Sequence, residues 1–381
     1  MASAKVFPVV TLTGPRQSGK STLCRAVFPL LAYVNLEDPS QREFALTDPK
    51  RFLAQFKDGA ILDEVQYVPA LASSLQVLVD EDPRPGRWVL PGSQNFTISQ
   101  AVSQSLAGRT AVMHLPPLSW SEVLGFAKHP TDLDTAMFTG GYPRIFDMDI
   151  EPSRWLQSYV QTYLERDARS LLNIGDLSTF QRFIQLCAGR TGQLLKISSL
   201  ADDCGISHPT AKSWLSTLEA SFIIFLLRPW FTNTSKRLVK SPKLHFVDSG
   251  LACWLLGIRD PQQLAAHPLR GGIFESWVAS EIYKQRLARA DGSGMYFYRD
   301  NKDREADLLL EARPPGNKPW MIEVKSGATV VGDMFKSIGR VAEAITEIAG
   351  LQRAIVYGGD QAQDRADVKV VPWNQIHLTD W

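Results

Sequence analysis

Several kinds of signal are missing from this chain, and each absence excludes a class. Cysteine is scarce, with 4 in 381 residues. Cys24, Cys187, Cys204 and Cys253 lie far apart and form no C-x-x-C pair. Neither a zinc site nor a disulfide framework is supported, so they read as reduced thiols filling cores in a cytoplasmic protein. Long apolar runs are also missing. The most apolar stretch, Phe222 to Leu227, is far too short to cross a bilayer and ends at Arg228, so no membrane partner is expected. The N-terminal apolar run leads into a glycine-containing loop, not a cleavage site, which argues against a signal peptide. Neither sign of charge dominates. Lys+Arg 41 against Asp+Glu 40 gives a formal net charge of +1, so only a local nucleic-acid signature remains open. Repeats and low-complexity tracts do not stand out.

What is present is an ordinary globular composition, 44% hydrophobic and 21% charged. A chain of 381 residues is too long for one hydrophobic core, so two or three domains are expected. The strongest local pattern is Gly14-Pro15-Arg16-Gln17-Ser18-Gly19-Lys20-Ser21, followed by Thr22. It fits G-x-x-x-x-G-K-[ST], the phosphate-binding loop of nucleoside triphosphatases. Glycines let the backbone curl its N–H groups toward phosphate oxygens. Lys20 adds a positive charge for the outer phosphates, and the Ser21 hydroxyl is a candidate Mg²⁺ ligand. Val9 to Thr13 reads as a buried strand and Thr22 to Val27 as a helix. That helix aims the positive end of its dipole at the phosphates.

A second nucleotide motif is Ala60-Ile61-Leu62-Asp63-Glu64. An apolar run ending in two acids predicts a buried strand that delivers carboxylates to the sheet edge where ligands bind. Asp63 is the expected Mg²⁺ ligand, and Glu64 the general base that polarises the attacking water. Strands are also expected at Ala32 to Leu36 and Trp88 to Leu90. Past the latter, Ser93 and Asn95 are candidates to sense the γ-phosphate or orient the water. Arg109 is a candidate arginine finger or sensor.

Gly14 to Ser21, Leu62-Asp63-Glu64-Val65-Gln66, Gly92 to Phe96, Leu106-Ala107-Gly108-Arg109 and Gly140-Gly141-Tyr142-Pro143 together resemble a family of prokaryotic AAA-type ATPases. The resemblance runs over essentially the whole chain. It implies ATP and Mg²⁺ as cofactors, and a C-terminal domain of unknown function with a restriction-endonuclease-like core. One departure is the short segment before the first strand, which in related ATPases covers the adenine.

From Ser153 the apolar residues recur at helical spacing. Ser199 to Thr210, then Trp214, Leu215 and Leu218, read as helix-turn-helix. Phe222 to Leu227 predicts the first strand of a wing. Between Glu219 and Asp248 there is no acid, while Arg228, Lys236, Arg237, Lys240 and Lys243 are interleaved with Trp230 and Phe231. The expectation is a winged helix whose basic wing touches phosphates of double-stranded DNA, or else packs on protein.

In the last third, Ile273 to Ile282 predicts an amphipathic helix, and Met295 to Tyr298, Leu308 to Leu310 and Trp320 to Val324 predict strands. Further strands are expected at Ile355 to Tyr357 and Val368 to Val371. Asp307 with Glu323-Val324-Lys325 matches the D…[DE]-x-K arrangement of restriction-endonuclease-like nucleases. Glu323 and Lys325 share a strand face. Asp307 can join them from the adjacent strand, and Glu275 from the helix can complete the ring. The expectation is a divalent-metal site of Glu275, Asp307 and Glu323, with Lys325 beside it.

The expected fold class is α/β: an AAA-type P-loop NTPase parallel sheet, then a winged-helix segment, then a restriction-endonuclease-like α/β domain. The expected boundaries are 1–118 for the ATPase core, 119–152 for a helical lid, 153–260 for the winged-helix segment and 261–381 for the last domain. The expected activity is Mg²⁺-dependent ATP hydrolysis coupled to a nucleic-acid or protein partner, with a homo-oligomer also open. Two alternatives stand beside it: a nucleotide switch with little turnover, and an ATP-gated metal-dependent nuclease.

Overall fold

The computed structural model describes residues 2–92, 106–164, 177–230, 241–289, 292–302, 304–312, 317–345, 348–365 and 367–381. It divides into two compact units, Met1–Pro117 with Ala220–Phe222, and Leu118–Glu219 with Ile223–Trp381.

The first unit is a parallel sheet in the order β2-β3-β4-β1-β5. Its strands are β1 (Val9–Thr13), β2 (Ala32–Asn35), β3 (Ala60–Asp63), β4 (Trp88–Gly92) and β5 (Thr110–His114). β1, β3 and β4 are buried throughout. That is why they read as continuous apolar runs, as parallel strands covered on both faces do. Alternate side chains feed opposite cores. Val9, Leu62, Trp88 and Leu90 join Leu71, Leu75 and Val79 of the helix Ala70–Glu81 on one face. Leu12, Ile61 and Val89 meet Cys24 of the helix Lys20–Val27 on the other. The free cysteines are buried, as expected of core filler.

The second unit contains a nine-stranded sheet in the order β13-β14-β12-β11-β10-β9-β7-β8-β6. The helices Ile197–Cys204 and His208–Ala220 form the anticipated helix-turn-helix. Gly205 takes the left-handed turn position at φ 69°, and the Ser207 hydroxyl accepts the Thr210 N–H at 3.2 Å. The strand expected to open a wing is β7 (Ile224–Pro229), and it takes part in a larger sheet. β7 pairs antiparallel with β8 (Lys243–Phe246), and β8 with β6 (Gln193–Leu194). β7 also pairs in parallel with β9 (Met295–Arg299). The hairpin is therefore one end of the large sheet.

That sheet continues through β10 (Glu305–Leu310), β11 (Trp320–Lys325), β12 (Gln352–Tyr357), β14 (Val368–Pro372) and β13 (Gln363–Arg365). Leu308 and Ile322 pack against Phe274, Trp277 and Val278 of the long helix Arg270–Ala288. Leu309 and Met321 face Ile338 and Val341 of the helix Gly332–Ala342. Trp120, Val123, Met137 and Phe138, from the stretch expected to form a lid, belong to the same core as Trp277 and Trp373. Among the described residues, no helix is long and apolar enough to cross a membrane.

Candidate functional site

The phosphate loop joins β1 to the helix Lys20–Val27. Two glycines are required by the backbone itself. Gly19 precedes the helix at φ 91°, where a side chain would be strained. A Cβ on Gly14 would lie 2.1 Å from the Leu115 carbonyl oxygen, so the loop approaches the next segment too closely for any other residue. Lys20 is 6% exposed. Its ammonium donates to the carbonyl oxygens of Gly14 at 3.1 Å and Pro15 at 2.7 Å. Burial pushes its pKa down to about 8, partly offset by the carboxylates of Glu64 and Asp63. The Ser18 hydroxyl is buried with no hydrogen-bond partner among the described residues, a donor that a phosphate oxygen would satisfy.

Asp63 ends β3 and Glu64 follows it in the left-handed region at φ 58°. The Glu64 N–H donates to the carbonyl of Pro91 in β4 at 3.1 Å. That bond turns the chain sharply, so both acids finish at the C-terminal edge of the sheet with Lys20. The Gln66 amide donates to the Glu64 carboxylate. Burial raises the Glu64 pKa, with that amide working against the rise. A residue that sequence reasoning missed completes the edge. The Tyr33 hydroxyl of β2 donates to Asp63 Oδ2 at 2.7 Å and is also hydrogen-bonded with Ser21. Ser21 and Asp63 thus flank one oxygen atom. Both are hard oxygen donors of the kind that Mg²⁺ takes, directly or through water.

Asn95 and Ser93 lie outside the described residues. Arg109 is described, and it lies away from the phosphate loop of its own chain. It sits one residue before β5, beside Val9 at the N-terminal edge, where its carbonyl accepts the Val9 N–H. Its guanidinium grips Asp80 with bonds of 2.6 and 2.9 Å. The phosphate loop begins five residues further along β1, roughly 16 Å away at strand rise.

The basic wing is only partly described, since Lys236, Arg237 and Lys240 fall outside. Arg228 is exposed on β7. Lys243 does not face solvent: it is 3% exposed and surrounded by acids, which overturns its reading as a phosphate contact. The expected C-terminal constellation does assemble. Lys325 and Glu323 share a face, 2.6 Å apart. Asp307 Oδ2 accepts the Val324 N–H at 2.8 Å. Burial, with Asp307 nearby, raises both Glu275 and Glu323, against the pull of Lys243 on the first and Lys325 on the second. Among the described residues, however, no three acid, histidine or cysteine side chains are arranged to hold a metal ion. Glu275 and Asp307 are turned to Lys243, Glu323 to Lys325, and Asp307 also to the main chain of Val324.

Comparison with known proteins matches three successive segments of the chain. A family described as an AAA domain matches residues 6–124. Two domains of unknown function match the rest, DUF8612 over 130–262 and DUF4143 over 270–376. The uncharacterized proteins Rv2008c of Mycobacterium tuberculosis and Mb2031c of Mycobacterium bovis are each 32% identical over 379 residues, 98% of this chain and 81% of theirs. The solved Walker-type ATPase PABY2304 of Pyrococcus abyssi is 13% identical, covering 67% of this chain and 92% of its own, at a TM-score of 0.41. The chain belongs with these mycobacterial relatives to a prokaryotic family of AAA-type P-loop ATPases that carry a C-terminal domain of unknown function.

Proposed function

We propose that the chain binds ATP with Mg²⁺ at the loop Gly14 to Ser21, hydrolyses it, and passes its nucleotide state to a nucleic-acid or protein partner. The observation that carries this reading is the convergence of Lys20, Ser21, Asp63 and Glu64 on one sheet edge. Lys20 would exchange the Gly14 and Pro15 carbonyls for the outer phosphates, where its buried charge finds a stronger partner. Ser21 and Asp63 would hold Mg²⁺, which would neutralise the charge that develops on the phosphates. Glu64, with a pKa raised by burial, is placed to take a proton from the attacking water. A nucleotide switch has no need of such a base, so Glu64 favours turnover.

Two variants test the reading. Glu64→Gln keeps the shape but cannot accept a proton. ATP binding is expected to persist while turnover falls about 10²–10⁴-fold. Lys20→Ala is expected to lose binding itself. Binding of a labelled ATP analogue and release of phosphate separate the two, and near wild-type turnover in Glu64→Gln would sink the assignment of the base. The partner is tested by adding double-stranded DNA at two salt concentrations. Stimulation that fades with salt supports phosphate contacts; no effect at low salt leaves protein as the partner.

A further inference from the structure

The acidic cluster of the nine-stranded sheet has a cation of its own. Lys243 opens β8, and its main chain is paired with Leu227 of β7 on one side and Leu194 of β6 on the other. Its ammonium lies 2.8 Å from Glu275 Oε1, 2.6 Å from Glu305 Oε1 and 3.4 Å from Asp307 Oδ1. The Phe297 ring stands over it at 5.6 Å. The remaining acids are also engaged: Glu323 with Lys325, and the other oxygen of Glu305 with Arg299 at 3.4 Å.

We infer that the Lys243 ammonium is the permanent cation of this site and takes the place of the divalent ion that a nuclease-like fold would hold. Glu275 comes from the helix and Asp307 from the strand, the two positions that would supply a metal's first ligands, and both are turned to the same nitrogen. A divalent ion needs oxygens at roughly 2.0–2.6 Å. Sharing these oxygens would bring it against a buried ammonium, 3% exposed, a like-charge contact that solvent screens only weakly. Removing Lys243 without a replacement would leave three carboxylates facing one another, so the cluster requires a cation of some kind. A lysine supplied by the chain is always present, and it ties β8, the long helix and β10 together without metal. Metal-dependent phosphodiester cleavage is therefore not a property of this domain. Its acids and lysines serve as a structural lock.

The test uses the full chain without nucleotide and reads bound Mn²⁺ by electron paramagnetic resonance after dialysis. Wild type is expected to retain no more Mn²⁺ than Asp307→Asn. Lys243→Met, which keeps the length but not the charge, is expected to gain a single Mn²⁺ per chain, lost again when Asp307→Asn is added. A wild-type Mn²⁺ site that Asp307→Asn removes would overturn the inference. So would a folded Lys243→Met variant that gains no ion. Should Lys243→Met fail to fold, the comparison of wild type with Asp307→Asn decides alone. Nucleotide is absent throughout, so the outcome does not depend on the ATPase reading.

Discussion

At the scale of single residues, burial sets the chemistry. Lys20 and His245 are both sealed from water, and both lose basicity for that reason, to about 8 and about 3. Lys20 has a ligand to gain. His245 has none: both ring nitrogens lack partners among the described residues, and the ring stacks on Phe225 at 5.2 Å. Burial, helped by the nearby Lys243 charge, keeps it neutral. The direction of the pH effect follows. The unfolded chain takes up a proton near the ordinary histidine value of about 6.5, whereas the folded chain does not until about pH 3. The folded state keeps the full benefit above about 6.5, and loses it as pH falls toward 3, at about 1.4 kcal/mol per unit. Urea unfolding at pH 6.5 and 5 should show wild type losing about 2 kcal/mol more than His245→Phe. Parallel pH profiles for the two proteins would refute this.

At the scale of elements, one buried acid meets a glycine pair. Asp248 caps the helix Ser249–Leu255, with Oδ1 accepting the Leu251 N–H at 2.8 Å. Its Oδ2 accepts the Gly141 N–H at 2.7 Å. Gly140 turns at φ 70°, and a Cβ there would meet Asp248 Oδ1 at 2.4 Å. Gly140 is thus shaped by a residue more than a hundred positions later, while a Cβ on Gly141 would lie 2.4 Å from the Leu118 carbonyl oxygen. Asp248→Ala removes the cap and strands a buried N–H. The two losses together are expected to cost about 2–4 kcal/mol. Thermal unfolding checks this, and a change under about 0.5 kcal/mol, the range of surface substitutions, would show that the bonds are dispensable.

At the scale of the whole molecule, the two units have separate cores. Ligand binding stabilises what it touches, by about 2.7 kcal/mol at a hundredfold excess over Kd. ATP with Mg²⁺ added to Glu64→Gln should slow amide exchange in β1, β3 and the helix Lys20–Val27. Protection appearing only in β9 to β14 would place the nucleotide elsewhere. The same scale explains what was legible beforehand. The phosphate loop and the Asp63–Glu64 strand end are contiguous, so their meaning is carried by neighbours in the chain: an apolar strand, a turn needing glycine, a helix start. The helix-turn-helix was readable for the same reason, because its turn and cap span a few residues. Where β7 would pair was not readable. A strand of this composition suits a free hairpin and a shared sheet equally, and β9, which joins it, begins at Met295.

Contiguous residues carry the local devices: which loop could cradle phosphate, which strand ends carried acids, where helices start and stop. Which charges face each other was settled by folding. Arg109 was free to be a sensor until Asp80 met it at the far sheet edge. Tyr33 was an unremarked strand residue until it bridged Ser21 and Asp63. Lys243 read as one basic residue among five, and became the counter-ion of acids 32 and 64 positions later. The reason is physical. Hydrogen-bond geometry and turn preference act between neighbours in sequence, whereas the energy of a buried charge depends on every group within a few ångströms, and folding alone chooses those groups.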